Sequence, residues 1–235
     1  MIIFFFCSTF IHFSVDKVMF IDKFINLYAI IFYCQGSDYV SKPINLSKDS
    51  LTLFCMDLLL INKAYKNQVN TIDDTAKDFS KKFEDYCKYN DDELSNKMLE
   101  IAKISVEYSV GVSSIITMYH TLEQYIKIEY NIISKNKESI IEKLSDVCVK
   151  YNYIVNDNSY YDIVEKYRNM TNSLKHGKIK KSFKNQYPEL INSDDSLGTL
   201  LNNTFNITES VVDECCFGLV SFVEEMYSYF ENIGI

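Results

Sequence analysis

Residues 156–177 read NDNSYYDIVEKYRNMTNSLKHG. On a wheel turning about 100° per residue and centred on Tyr167, the residues Ile163, Val164, Met170, Thr171 and Leu174 fall within about 60° of that centre. This is the period of an amphipathic α-helix with one core-facing side. Asn158 or Ser159 supplies a cap at its start, and Gly177 a stop at its end. Arg168, Asn172 and His176 follow at i, i+4, i+8 and lie roughly 100°, 140° and 180° from the centre. They form a ridge that leaves the core.

The helical period extends outward from this segment. Ser47 caps a helix whose apolar face runs through Leu51, Phe54, Cys55, Leu58, Leu59 and Ile61. Residues 71–89 and 91–108 each begin with carboxylates, as helix N-termini favour. A long helix is expected from about Ser109 to Ser134, with Val112, Ile115, Ile116, Tyr119, Leu122, Ile126 and Ile133 on one side. Ile140, Ile141, Leu144, Val147 and Tyr151 recur at helical spacing in the next segment. Residues 177–205 read as a loop. A last helix over Glu209–Asn232 places Val212, Cys215, Cys216, Leu219, Phe222, Val223, Met226 and Phe230 inward. No period-2 alternation announces a sheet, so the fold class is all-α.

The chain has 235 residues, 47% of them apolar and 24% charged, which suits one folded unit over residues 47–235. Residues 1–46 stand apart. MIIFFFCSTFIHFSV is apolar but has no basic leader, and Asp16 and Lys17 interrupt it short of the roughly 18 residues a membrane span needs. That makes a membrane location unexpected and leaves open a start at Met19, a buried strand or helix over residues 1–34, or a membrane-seeking tail there. Seven cysteines without a C-x-x-C pair fit reduced, buried thiols in a cytoplasmic protein. A net charge of −8 argues against broad coating of a nucleic acid.

Arg168 is the only arginine in the chain, and His176 one of three histidines. A guanidinium is permanently charged and forked to match phosphate oxygens, and it can stabilise a pentacoordinate phosphate better than lysine. Histidine moves protons near neutral pH. Asn172, one turn before His176, is placed to hold the imidazole or a phosphate oxygen. Between Asn169 and Pro188 there is no acid, while Lys175, Lys178, Lys180, Lys181 and Lys184 make a positive arc that would guide an RNA backbone. Read singly, these residues are a solvated arginine, a helix-end histidine and a lysine-rich loop.

YRNMTNSLKHGKIKKSFKNQYPEL, residues 167–190, resembles the final-helix motif of the HEPN superfamily of prokaryotic nucleases, in a subgroup reading R-x-x-x-N-x-x-K-H-G followed by Ser and Pro. Arg168, Asn172, Lys175, His176, Gly177, Ser182 and Pro188 occupy those places, and MYHTLEQYIK, with Glu123, is similar to the subgroup's long helix. The resemblance spans residues 50–192. It implies a HEPN-like helical bundle, here with an additional C-terminal helix, that pairs with a second copy through facing motif helices. It also implies an endoribonuclease needing no metal or cofactor, in a toxin or phage-defence setting with an antitoxin or defence partner. Arg168, Asn172 and His176 would be its catalytic residues, the five lysines its RNA contacts, and Glu123 a supporting group. His176 would activate the 2′-hydroxyl or protonate the leaving oxygen, leaving a 2′,3′-cyclic phosphate. The family's usual gap between Arg and His is four to six residues; here it is seven, about 12 Å along the axis. A long side chain or a facing subunit must close it. The rival reading is a HEPN-like module that binds RNA or a partner protein without cutting. No zinc-protease, P-loop, dinucleotide or serine-hydrolase motif is present.

Overall fold

The computed structural model describes residues 44, 46–72, 74, 76–78, 81–82, 92–132, 139–192 and 204–235, the side chains of 92–96 and 98 excepted. The expectations for residues 1–43, for most of 71–89 and for Ile133 lie outside them. The described residues are all-α: α1 (Lys48–Asn70), α2 (Asp92–Glu129), α3 (Ile140–Cys148), α4 (Tyr161–His176), α5 (Lys181–Gln186) and α6 (Glu209–Asn232), with short 3-10 turns between.

Four of these helices make the bundle. α1 packs on α2 and α6, α4 packs on the same two, and α2 meets α6 across the middle, so α1 and α4 occupy opposite corners. Polar ties at the ends fix the directions. At the start of α1, Ser47 N–H and Ser50 Oγ–H donate to the Glu129 carboxylate at the end of α2, at 3.1 and 2.6 Å. At the other end of α1, Asn62 Nδ2 and Lys66 Nζ donate to Asp213 near the start of α6, at 2.7 and 3.0 Å. Tyr167 on α4 reaches Val211 and Glu214 on α6, while Asn158, just before α4, donates to Phe222 O at 3.1 Å. Neighbours around the ring therefore run antiparallel.

Most of the sequence pattern reappears as burial. All eight inward residues expected on the last helix are buried, and its bounds are those read from the sequence. Gly218 on that helix lets α4 come close, since a Cβ there would collide with the Ile163 side chain. Ser47 caps α1 as expected, its Oγ accepting from Ser50 N–H at 3.4 Å. Leu59, expected in the core, is 46% exposed instead; Asn62 and Tyr65 take the buried positions.

The two helices expected around residues 91–108 and 109–134 are one, α2, of 38 residues. Ser109 and Gly111 do not break it. It ends at Glu129 rather than Ser134, because Asn131 turns left-handed (φ 48°) and Ile132 N–H closes back onto Lys127 O at 3.0 Å, a helix-terminating pattern. The described part of the segment expected as a loop, residues 177–192 and 204–205, contains regular structure. Buried Phe183 and Leu190 anchor α5 and a 3-10 turn begun by Pro188, and Ile191 forms an isolated bridge with Phe205. Residues 193–203 lie outside the described set.

Candidate functional site

α4 is entered through Asn158, whose buried side chain donates to Tyr153 Oη and Phe222 O and whose Oδ1 accepts from Tyr160 N–H at 2.9 Å. The N-cap is therefore Tyr160, which makes no side-chain capping bond, rather than Asn158 or Ser159; Asn158 closes an Asx turn onto it. The helix ends at Gly177 in the left-handed region (φ 64°). A residue with a Cβ is strained there. Between these ends Val164, Tyr167, Met170, Thr171 and Ser173 are buried. Tyr167 Oη lies 2.6 Å from Val211 O and 2.8 Å from Glu214 Oε2, and Lys166 Nζ lies 2.6 Å from the same carboxylate oxygen. Burial first, then Cys215 and Glu214, drives the Tyr167 hydroxyl pKa far upward.

Arg168 does not stand free on the ridge. Its side chain is 24% exposed and turns toward the start of α3, where Nη1 donates to Ser139 Oγ at 2.8 Å. The same nitrogen is 3.1 Å from Glu165 Oε1, without hydrogen-bond alignment, and 3.7 Å from Glu142 Oε1. Its Nε is buried and has no hydrogen-bond partner among the described residues. Glu165 is held above the usual carboxylate range, mainly by burial; Arg168 pulls it down and Glu142 pushes it up. Burial also raises the Tyr119 hydroxyl on α2, which feels Glu123 and Arg168. A polar seam therefore joins α2, α3 and α4. Beside it a depression of ~330 Å³ is lined by Ile141, Glu142, Ser145, Asp146, Asn156 and Tyr161.

The other end of α4 differs. Asn172, Lys175 and His176 are exposed, and neither Asn172 nor His176 has a polar partner among the described residues. Lys178, Lys180 and Lys181 are exposed beyond the helix end, and Lys184 is half-buried. Glu123 sits on α2 with Oε2 3.7 Å from His120 Nδ1. Within one copy, Arg168 and His176 occupy separate surroundings, about 12 Å apart along the helix. Asn172 and His176 share the open end with the lysines.

Sequence reasoning missed the groups that hold Arg168. Two signals were available: Glu165 lies at i−3 on the same helix, and Ser139–Glu142 has the S-x-x-E form of a capping box. The Ser139 Oγ accepts from Glu142 N–H at a long 3.5 Å, so its shorter bond is the one from Arg168.

The four described cysteines behave as packing groups. Cys148, Cys215 and Cys216 are buried and Cys55 half-buried. Burial pushes the thiols of Cys55 and Cys216 up to about 11 and that of Cys148 up to about 12. No helix among the described residues is long and apolar enough to cross a membrane. Compared with known proteins, the chain matches no family model, no curated protein and no solved structure.

Proposed function

We propose that this protein acts on RNA as a metal-independent endoribonuclease whose site is completed by a second copy of α4. The observation that carries this reading is the open face holding Asn172 and His176 beside a stretch of lysines with no acid from Asn169 to Pro188. Arg168, Asn172 and His176 are evenly spaced. If two α4 helices cross antiparallel at Asn172, Arg168 of each comes level with His176 of the other. The seven-residue gap then closes between copies rather than within one. The HEPN resemblance of residues 167–190 supports the same pairing.

In such a site the lysines hold the phosphate backbone. His176 takes the proton of the 2′-hydroxyl as its oxygen attacks phosphorus, or gives a proton to the 5′-oxygen as its bond to phosphorus breaks. The guanidinium of the opposing Arg168 offsets the charge that gathers on the phosphate oxygens. The products are a 2′,3′-cyclic phosphate and a 5′-hydroxyl. An antitoxin or defence partner would act by covering the same face.

A second reading has its own observation. Arg168 Nη1 is already engaged by Ser139 and the Glu165 carboxylate, which favours a module that binds RNA or a partner protein without cutting. One experiment separates the two. Purified full-length chain is incubated with RNA in excess chelator, beside His176→Ala and Arg168→Lys. The nuclease reading expects cyclic-phosphate ends that both substitutions abolish. Binding without cleavage would leave only the second reading, and neither binding nor cleavage would leave only its partner-protein form.

A further inference from the structure

α1 carries an apolar surface on its outer side. Leu53 is 38% exposed, Met56 51%, Leu59 46% and Leu60 59%, whereas Phe54, Leu58, Asn62 and Tyr65 face the core. Single exposed leucines are ordinary, but four large apolar side chains within two turns make a contiguous patch. Phe217, on the helix packed beside α1, is 53% exposed.

The order of residues along this face is informative. Asp49, Leu53, Met56, Leu60 and Lys63 follow at steps of 4, 3, 4 and 3, the repeat that keeps side chains on one seam when helix packs along helix. Asp49 and Lys63 are exposed, and neither has an ion-pair partner among the described residues. An acid closes one end of the seam and a base the other, with apolar residues between and the exposed Asp57 along one border.

That pattern fits itself in one orientation. Two such seams laid antiparallel about Met56 set Leu53 of one copy against Leu60 of the other, Met56 against Met56, and Asp49 against Lys63 at both ends. A parallel alignment would set acid against acid and base against base. Charge therefore selects the antiparallel arrangement, which is a closed two-fold pairing. We propose that the outer face of α1 is a self-association surface that binds a second copy of this chain through antiparallel α1–α1 packing.

The seam from Asp49 to Lys63 is about 21 Å long, and one helix face buries less than the roughly 800 Å² per partner of a standard interface. The pairing is accordingly weak, with micromolar dissociation and rapid exchange. It lies at the corner of the bundle opposite α4, so it is independent of the proposed RNA site, and both surfaces can be engaged together.

The test is the mass of the full-length chain by sedimentation equilibrium across a micromolar concentration series, with no RNA present. Wild type is expected to associate one step further than Leu60→Glu, which loses the α1 pairing and keeps only what α4 provides, with an unchanged thermal midpoint, since Leu60 is an exposed side chain. Asp49→Lys and Lys63→Asp should each weaken the dimer by about tenfold, and the double swap should restore it to within about threefold. The charge swaps keep the test decisive if Leu60→Glu fails to fold. A wild-type chain monomeric throughout would overturn the proposal, as would a dimer indifferent to the swaps. The charge swaps and Leu60→Glu all lie on α1, so failure of this proposal is read separately from failure of the α4 pairing, which the cleavage experiment tests.

Discussion

The two halves of α4 are built from the same amphipathic pattern and finish in opposite conditions. In the first half Lys166, Tyr167 and Arg168 each reach a neighbouring helix, through Glu214, Val211 and Ser139. In the second half Asn172, Lys175 and His176 are exposed, and the helix stops at Gly177. The core face is buried in both halves, but the polar side chains are held in the first and left free in the second. Substitutions should separate the two ends, Tyr167 costing stability and His176 activity, with Arg168 between them both held and, on the proposed reading, active.

The largest expected effect is on the held side. Tyr167→Ala removes a fully buried ring and its hydroxyl bonds, and should destabilise the fold by about 3–5 kcal/mol in urea denaturation. A loss below about 1 kcal/mol would mean that α4 is not anchored through this ring. On the free side, His176→Ala should lower RNA cleavage by about 10²-fold or more while shifting stability by under about 0.5 kcal/mol. A matched loss of both would show that the two ends of the helix are not independent.

A buried carboxylate provides a third comparison, away from α4. Glu129 is 6% exposed and accepts from Ser47 N–H and Ser50 Oγ–H. Burial lifts its pKa above 4.5, against those two bonds. Glu129→Ala leaves both donors unmatched and should cost about 1–3 kcal/mol. Glu129→Gln keeps an acceptor and should cost less. A folded pKa above the unfolded one means that the stabilisation from this group is present below the unfolded value and fades as pH rises through the folded value. Wild type should lose stability over that window relative to Glu129→Gln, as read from denaturation midpoints at several pH values.

The sequence exposed the fold more fully than the site, and the wheel explains why. Angles on a single helix ordered the outer ridge correctly for Asn172 and His176, about 140° and 180° from the core centre, and both are exposed. Arg168, at about 100°, lies on the edge of the buried face, where the outcome depends on what packs alongside. The start of α3 packs there, and nothing periodic in residues 156–177 encodes that. α6 was legible because its apolar face is broad and unbroken. Leu59 was misjudged because α1 is apolar nearly all round between Leu53 and Leu60, so its pattern does not choose a side. The merger of two expected helices into α2 has a similar origin: neither Ser109 nor Gly111 is a sufficient stop without a change of chain direction.

The smallest expected effect tests whether the seam around Arg168 is a stabilising device or a tolerated compromise. Glu165 has its pKa raised by burial despite the guanidinium 3.1 Å away, with Glu142 adding to the rise. The folded state therefore holds the Glu165 proton more tightly than the unfolded chain does. Stability from this group is complete below the unfolded carboxylate value and is lost as pH rises through the raised folded value. Glu165→Gln should match wild type at low pH and equal or exceed it by under about 1 kcal/mol near neutrality. Arg168→Met should steepen the wild-type loss, because it removes the group that lowers the Glu165 pKa and leaves burial unopposed. If Glu165→Gln were instead clearly less stable at neutral pH, the ion pair would outweigh its burial, and Arg168 would be a structural clamp rather than a group that a second copy can draw toward RNA.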